Sequence, residues 1–333
     1  MKSIFLCNNP DAVKKVFSSE TVNILKEKAG LSSDCFTEND LRVSPDKFKD
    51  TRYIFSTWGM PELTKEQIEK YFPSLECIFY GAGSVQSFAR PFLNCSIKVF
   101  SSWAANAIPV AEYTSAQIIL ANKGFYRLSR ELKEKDYNDV KVSAKDFPGN
   151  YESALGIIGA GMIGKKVIKM LKNVNIRIYV FDPFLPDDKV KELNVTKTTL
   201  EEIFSRCDVI SNHLADNSDT KEMLNYNLFS KMKPNSTFIN TGRGVQVAEK
   251  DLIRVLTERP DITAILDVTK PEPPEKTSPL YTLDNCILTP HIAGSSSNEL
   301  RRMGDYMKDE FLLYTENKPT HYEVTLKMLE TMA

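Results

Sequence analysis

The chain has 333 residues, 42% hydrophobic and 26% charged, with 43 basic and 44 acidic side chains and a net charge of -1. That length exceeds one ordinary core, so two domains are expected, and the composition is that of an ordinary globular protein. The balanced charge offers no field for nucleic acid or an anionic membrane, and no apolar run approaches the roughly 20 residues of a membrane helix.

The N-terminal stretch MKSIFLCNN turns polar too soon for a signal peptide. The six cysteines, Cys7, Cys35, Cys77, Cys95, Cys207 and Cys286, show no C-x-x-C pairing. Cys207 and Cys286 lie in apolar stretches and read as buried thiols of a reducing, cytoplasmic compartment. No spacing of histidines and cysteines suggests a metal site.

In chain order, Ser3–Cys7, Tyr53–Ser56, Leu75–Tyr80 and Ile97–Phe100 read as short buried strands. Thr64-Lys65-Glu66-Gln67 is a capping box that opens a helix to about Phe72. This alternation predicts βα units on a parallel sheet. Residues 108–133 read as one long helix, broken near Gly124, with Pro109 in its first turn and Glu112 soon after. The charged segment 134–150, ending in Pro148-Gly149, reads as a loop or arm.

A second α/β series follows, with strands expected at Ala154–Ile158, Arg177–Phe181, Val209–Asn212, Thr237–Asn240, Thr263–Leu266 and Cys286–Leu288. Helices are expected between most of them, including Met162–Leu171 and Glu249–Thr257. Six such strands match the doubly wound dinucleotide fold. Ser296-Ser297-Asn298-Glu299 reads as a further capping box, opening a helix to about Thr315.

Glycine is sparse at 14 copies, and nine of them fall in or beside four short turns. The first of interest is Gly159-Ala160-Gly161-Met162-Ile163-Gly164, a G-x-G-x-x-G run directly after a strand and directly before an apolar-periodic helix. Gly159 permits the tight turn, Gly161 the close approach of a pyrophosphate, and Gly164 the packing of helix on strand. The phosphates sit on the helix N-terminus, in contact with the Met162 and Ile163 region. The following strand ends at Asp182, whose carboxylate suits ribose hydroxyls and repels a 2′-phosphate, which predicts NAD in preference to NADP.

Hydride transfer to a carbonyl also needs a proton donor, a cation for the substrate and a group that tunes the donor. Of the three histidines, His291 and His213 each follow a predicted strand, at the edge where doubly wound sheets bind ligands; His321 lies in the polar C-terminal tail and reads as a surface residue. Arg243, in Asn240-Thr241-Gly242-Arg243-Gly244, is presented by another glycine-flanked turn and can hold a carboxylate bidentately. Glu272 lies in the proline-stiffened loop after Asp267 and can orient a histidine ring.

Taken together and in this order, the motifs resemble the D-isomer-specific 2-hydroxyacid dehydrogenases. The resemblance implies an α/β protein of two doubly wound, Rossmann-like domains. In it, an NAD-binding domain at 106–295 is inserted within a flavodoxin-like substrate domain formed by 1–105 and 296–333. It implies Arg243, Glu272 and His291 as the catalytic trio, with His291 the general acid/base. Asp267 matches the anchor of the nicotinamide carboxamide. His213, Thr241 and Gly294 join the cofactor-binding set.

A second glycine turn, Gly81-Ala82-Gly83-Ser84, matches the substrate loop, so Ala82, Gly83 and Ser84, with Arg243 and His291, are the expected substrate contacts. The same resemblance implies a homodimer formed largely through the cofactor domains, with substrate held between domains. Two departures stand out. Val85-Gln86 replaces an Asp-Asn pair common in the family, and Trp103 stands where a small residue or proline is more usual; packing is its expected role. The alternative function is an NAD-sensing scaffold, like the corepressors of this fold, which also keep the trio.

Overall fold

The structure, a computed structural model, describes residues 2–330. It divides into two compact units: residues up to 106 together with those from 295 onward, and residues 107–294. In chain order the strands are β1 (Ser3–Leu6), β2 (Leu31–Phe36), β3 (Tyr53–Ser56), β4 (Cys77–Tyr80), β5 (Lys98–Ser101), β6 (Ala154–Ile158), β7 (Arg177–Phe181), β8 (Thr196–Lys197), β9 (Val209–Asn212), β10 (Thr237–Asn240), β11 (Thr263–Leu266), β12 (Cys286–Leu288) and β13 (Glu323–Val324).

The first unit has the sheet order β13-β5-β4-β3-β1-β2, with β1 to β5 parallel and β13 antiparallel on β5. Without β13 this is the 2-1-3-4-5 order of flavodoxin-like sheets. Strands β1, β3 and β4 are buried along their whole length, as parallel strands covered on both faces are. Phe55, Phe79 and Phe100 are register partners on β3, β4 and β5. Their rings stack at 5.2 and 5.0 Å, and Phe311 of the helix Glu299–Thr315 meets Phe55 and Phe79 edge-on at 5.6 Å. Such pairs contribute about 0.5–1.5 kcal/mol each beyond area burial.

The second unit has the order β12-β11-β10-β9-β6-β7-β8, entirely parallel. Counted within the unit this is 3-2-1-4-5-6 with one strand added, the dinucleotide-binding order. All six strands expected here form with the expected bounds, and β8, a two-residue edge strand, is the addition.

Several local readings are corrected. The long helix begins at Trp103, not 108, and runs to Asn122. Pro109 is therefore inside it and Glu112 is past the first turns. Gly124 then takes a left-handed conformation (φ 66°) and opens a second helix, Phe125–Glu131. The 134–150 segment is not wholly irregular: Asp136 accepts a hydrogen bond from the Asn138 N–H and caps a helix at Tyr137–Ser143.

The Thr64 box closes in both directions, with Thr64 N–H on Gln67 Oε1 at 2.8 Å and Gln67 N–H on Thr64 Oγ1 at 3.3 Å. At Ser296 only half the expected box is present: Glu299 accepts the Ser296 N–H at 2.9 Å, while its own N–H goes to the Ser296 carbonyl. Trp103 packs edge-on against Tyr322 at 5.9 Å, the packing role expected of it. His321 is exposed.

Candidate active site

Because every strand of the second unit runs the same way, the loops leaving their C-terminal ends emerge along one edge. The register levels those ends: Ile158 pairs Phe181 and Asn212, Asn212 pairs Asn240, Asn240 pairs Leu266, and Leu266 pairs Leu288. The order reverses at β6, which lies between β7 and β9, and ligands bind at such a switch point.

The glycine turn leaves β6 at that point. Gly159 has φ +87° and donates its N–H to the Phe181 carbonyl at 2.8 Å. A Cβ on Gly164 would lie 2.2 Å from the Gly159 oxygen, so the helix Met162–Met170 packs on the turn backbone to backbone. A Cβ on Gly161 would meet nothing within 4 Å, and no side chain caps this nine-residue helix. Its first N–H groups thus face open space, which is the geometry a pyrophosphate needs. The turn and helix start formed by Gly159, Gly161, Met162, Ile163 and Gly164 fit a dinucleotide's phosphates.

Asp182, at the end of β7, accepts the Ala160 N–H on Oδ2 at 2.8 Å and the Phe184 N–H on Oδ1 at 2.9 Å. It therefore shapes the turn as well as standing where ribose is expected. His213 presents its backbone to the turn: its N–H donates to Ile158 at 2.7 Å, and its carbonyl lies 2.7 Å from the position a Gly159 Cβ would take. The imidazole itself is buried, with Nε2 on Ser211 Oγ at 2.9 Å. Burial pushes its pKa down to about 3, so the ring stays neutral at physiological pH.

Arg243 sits in a turn built on a buried amide network. Asn212 Nδ2 donates to Asn240 Oδ1 at 3.0 Å and to Gln246 Oε1 at 2.6 Å. Gln246 Oε1 also accepts the Arg243 N–H at 3.1 Å, and its Nε2 donates to the carbonyls of Leu214 and Ala215. The Arg243 Nη1 donates to Gly242 O at 2.8 Å, which leaves most of its five N–H donors for a ligand. A Cβ on Gly244 would lie 2.1 Å from the Thr269 carbonyl, so only glycine lets this loop abut the loop after β11. Thr241 is buried, its hydroxyl 3.1 Å from that of Thr114.

Asp267, 3% exposed, closes the site from β11. Its carboxylate accepts Thr289 Oγ1 at 2.6 Å, Ile292 N–H at 2.8 Å and Ala293 N–H at 2.9 Å. An ionised carboxylate has about four acceptor positions, so three bonds leave one of them unfilled. His291, held between these bonds at φ +54°, places Nδ1 2.6 Å from Glu272 Oε1. The carboxylate only accepts, so Nδ1 carries the proton and Nε2 is the atom left for a substrate. Both side chains are close to half exposed. Gly294 ends this segment.

In the first unit, the 81–84 turn has its own supports. Ser101 Oγ bonds the carbonyls of Ala82 at 2.9 Å and Gly83 at 2.6 Å, and Thr57 Oγ1 donates to Gly81 O at 2.9 Å. Val85 is fully buried and Gln86 donates to the Leu329 carbonyl at 2.8 Å, so both departures from the family pair serve packing in this unit. Among the described residues no group of His, Cys, Asp or Glu side chains is arranged to hold a metal.

Asn212 and Gln246, which build the Arg243 turn, are the residues that sequence reading missed. A signal existed for Asn212 in the shared ending of two apolar strands, Val209–Asn212 and Thr237–Asn240, on an amide. For Gln246 nothing local gives a signal.

A parallel sheet with a glycine turn at its switch point is the arrangement of a dinucleotide-binding domain. Residues 115–293 match the family model described as the NAD binding domain of the D-isomer specific 2-hydroxyacid dehydrogenases. The chain is 30% identical over 283 residues to a D-3-phosphoglycerate dehydrogenase of Haemophilus influenzae, covering 83% of this chain and 67% of that one. It is 31% identical over 210 residues to a hydroxypyruvate reductase of Thermotoga maritima, covering 62% of this chain and 67% of the relative.

Among solved structures, the apo form of D-mandelate dehydrogenase from Rhodotorula graminis superposes with TM-score 0.81 at 19% identity, covering 97% of both chains. The chain belongs to the D-isomer specific 2-hydroxyacid dehydrogenase family. It spans about half the length of several curated relatives: 44%, 58% and 50% for the phosphoglycerate dehydrogenase of Archaeoglobus fulgidus, the putative 2-hydroxyacid dehydrogenase YoaD of Bacillus subtilis and the phosphoglycerate dehydrogenase of Methanocaldococcus jannaschii.

Proposed function

We propose that the chain is an NAD-dependent oxidoreductase acting at C2 of a small D-2-hydroxy acid or its 2-keto acid. The observation that carries this reading is the His291–Glu272 pair, fixed by Asp267 on the edge that also bears the glycine turn. The bound nicotinamide supplies or accepts the hydride. Arg243 holds the substrate carboxylate and carbonyl oxygen through its free N–H donors, polarising the carbonyl. His291 gives a proton from Nε2 to that oxygen during reduction and takes it back during oxidation, while Glu272 holds Nδ1 and orients the ring. Unit 1 is assigned the substrate role through Ala82, Gly83 and Ser84, and Asp267 the carboxamide.

The deciding experiment is an NADH-oxidation screen against glyoxylate, hydroxypyruvate, pyruvate and branched or aromatic 2-keto acids. Turnover of at least one supports the reading. Silence across the panel with NADH binding intact favours the NAD-sensing scaffold instead.

NADH is proposed over NADPH because Asp182 places negative charge beside the ribose position. Substituting Asp182→Ala weakens NADH about tenfold, from the loss of a charged hydrogen bond, and weakens NADPH less. Fluorescence titration of both cofactors measures the ratio. An equal loss for both would limit Asp182 to holding the turn.

A homodimer is proposed through the second unit. The helices ending at Asn122, Phe125–Glu131 and Tyr137–Ser143 border a groove of about 380 Å³, lined by Leu120, Phe125, Leu128, Leu132 and Tyr137. Phe125, Leu132 and Tyr137 are 48%, 49% and 63% exposed. Charges of both signs stand around them (Arg130, Lys133, Glu134, Lys135, Asp136), which is compatible with a self-complementary patch. Replacing Phe125 and Tyr137 by glutamate converts a dimer to a monomer in sedimentation velocity. A wild-type monomer at micromolar concentration would refute the assignment.

The cytoplasmic placement rests on six free thiols. Burial raises the pKa of Cys77 and Cys207 to about 12 and keeps them protonated.

A further inference from the structure

His291 occupies a left-handed backbone conformation (φ +54°) that a residue with a Cβ adopts only when its surroundings enforce it. The enforcing contacts are the three hydrogen bonds that Asp267 accepts from the 289–293 segment, together with the His291 N–H on the Asp267 carbonyl at 3.1 Å. Two of the three carboxylate bonds come from backbone N–H groups. The third comes from a side chain, Thr289, and that side chain has a further partner outside the segment. The hydroxyl of Tyr113, on the helix Trp103–Asn122, lies 3.1 Å from Thr289 Oγ1.

The direction of each bond follows from counting hydrogens. The Asp267 carboxylate accepts, so Thr289 commits its single hydroxyl hydrogen to Oδ1. Thr289 Oγ1 can then only accept from Tyr113, which commits its own single hydrogen. No member of the chain can be reversed without leaving a neighbour with two acceptors and no hydrogen between them.

We propose that Thr289 and Tyr113 are positioning residues for His291, forming a one-way hydrogen-bond chain that runs from Tyr113 through Thr289 to Asp267. The proposal rests on the reading of His291 as the acid/base. Neither residue touches the substrate. They act by keeping the 289–293 segment in the one arrangement in which Nδ1 meets Glu272 and Nε2 is free. A displacement of the imidazole of the order of 1 Å costs roughly 10²-fold in rate without a matching loss of substrate binding.

The test uses the full chain with Thr289→Val, which keeps shape and removes the hydroxyl, Thr289→Ser, which restores it, and Tyr113→Phe. With the best 2-keto acid of the screen, Thr289→Val lowers kcat about 10- to 100-fold with KM little changed. Thr289→Ser recovers most of kcat. Tyr113→Phe lowers kcat less, and adding it to Thr289→Val brings no further loss, because Tyr113 acts through Thr289.

A second readout needs no substrate and no Thr289→Val protein. The chain has only three histidines, so the imidazole proton signals of His291, His213 and His321 can be assigned by NMR. Tyr113→Phe shifts and broadens the His291 signal and leaves the other two in place. Unchanged kcat in Thr289→Val, a Thr289→Ser protein as impaired as Thr289→Val, or an unmoved His291 signal in Tyr113→Phe each overturns the proposal. If Thr289→Val is fully active while His291→Ala is dead, the chain is refuted and the acid/base reading stands. If His291→Ala keeps full turnover, both fall.

Discussion

With His291 replaced by alanine, 2-keto acid turnover falls by about 10²- to 10⁴-fold while NADH affinity stays nearly constant. The size follows from what the imidazole is proposed to contribute. Its Nδ1 is held 2.6 Å from Glu272 Oε1, which fixes the tautomer and the orientation of the ring. Removing the ring leaves water as the only proton source and leaves Glu272 without its partner. Nothing in the glycine turn depends on residue 291, since its bonds run among Gly159, Ala160, Phe181 and Asp182. NADH binding measured by fluorescence should therefore persist. A variant that turns over at the wild-type rate would sink the acid/base assignment and, with it, the role given to Glu272.

For Arg243→Ala the expected loss is of similar size but of another kind. Two charge-assisted hydrogen bonds to a carboxylate contribute roughly 1.5–3 kcal/mol each, so kcat/KM falls about 10²- to 10⁴-fold, with KM raised. Arg243→Lys restores only part of this, because an ammonium is a point charge and cannot present the planar fork. The loop itself should survive the change. Its shape is set by Gln246 on the Arg243 N–H and by Asn240 Nδ2 on the Arg243 carbonyl, both contacts with backbone. Steady-state kinetics across the keto-acid panel measure the effect, and an unaltered KM would remove Arg243 from the substrate.

These two side chains were legible in the sequence for a local reason. Each follows a short apolar strand and sits in or beside a turn marked by glycine or proline, so neighbouring residues along the chain announce it. The strands of the second unit were legible on the same ground, because a buried parallel strand is a short apolar run bounded by polar turn residues. Where that rule fails, the element was missed. Strand β2, Leu-Ser-Ser-Asp-Cys-Phe, lies at a sheet edge and exposes its middle, so it shows no apolar run. The helix Tyr137–Ser143 is short and charged, with a single buried residue, Val140. The helix start at Trp103 was misplaced because Pro109, which usually marks a first turn, is carried inside a helix whose burial outweighs the missing N–H.

The sequence alone therefore determined the cofactor turn and the doubly wound class, since each rests on patterns among near neighbours in the chain, while Arg243, Glu272 and His291 were singled out through the order of their motifs and the family resemblance. Tertiary structure decided which of those residues touch. Glu272 meets His291 across 19 positions, and Asp267 reaches Ile292 across 25, because β11 and β12 lie side by side with their ends level. It also decided that the His213 imidazole is buried against Ser211 while its backbone faces the turn, and that Tyr113 reaches Thr289 across 176 positions. The order of parallel strands sets these meetings. That order is fixed by how the sheet closes its hydrogen bonds and buries its faces, which no short window of residues contains.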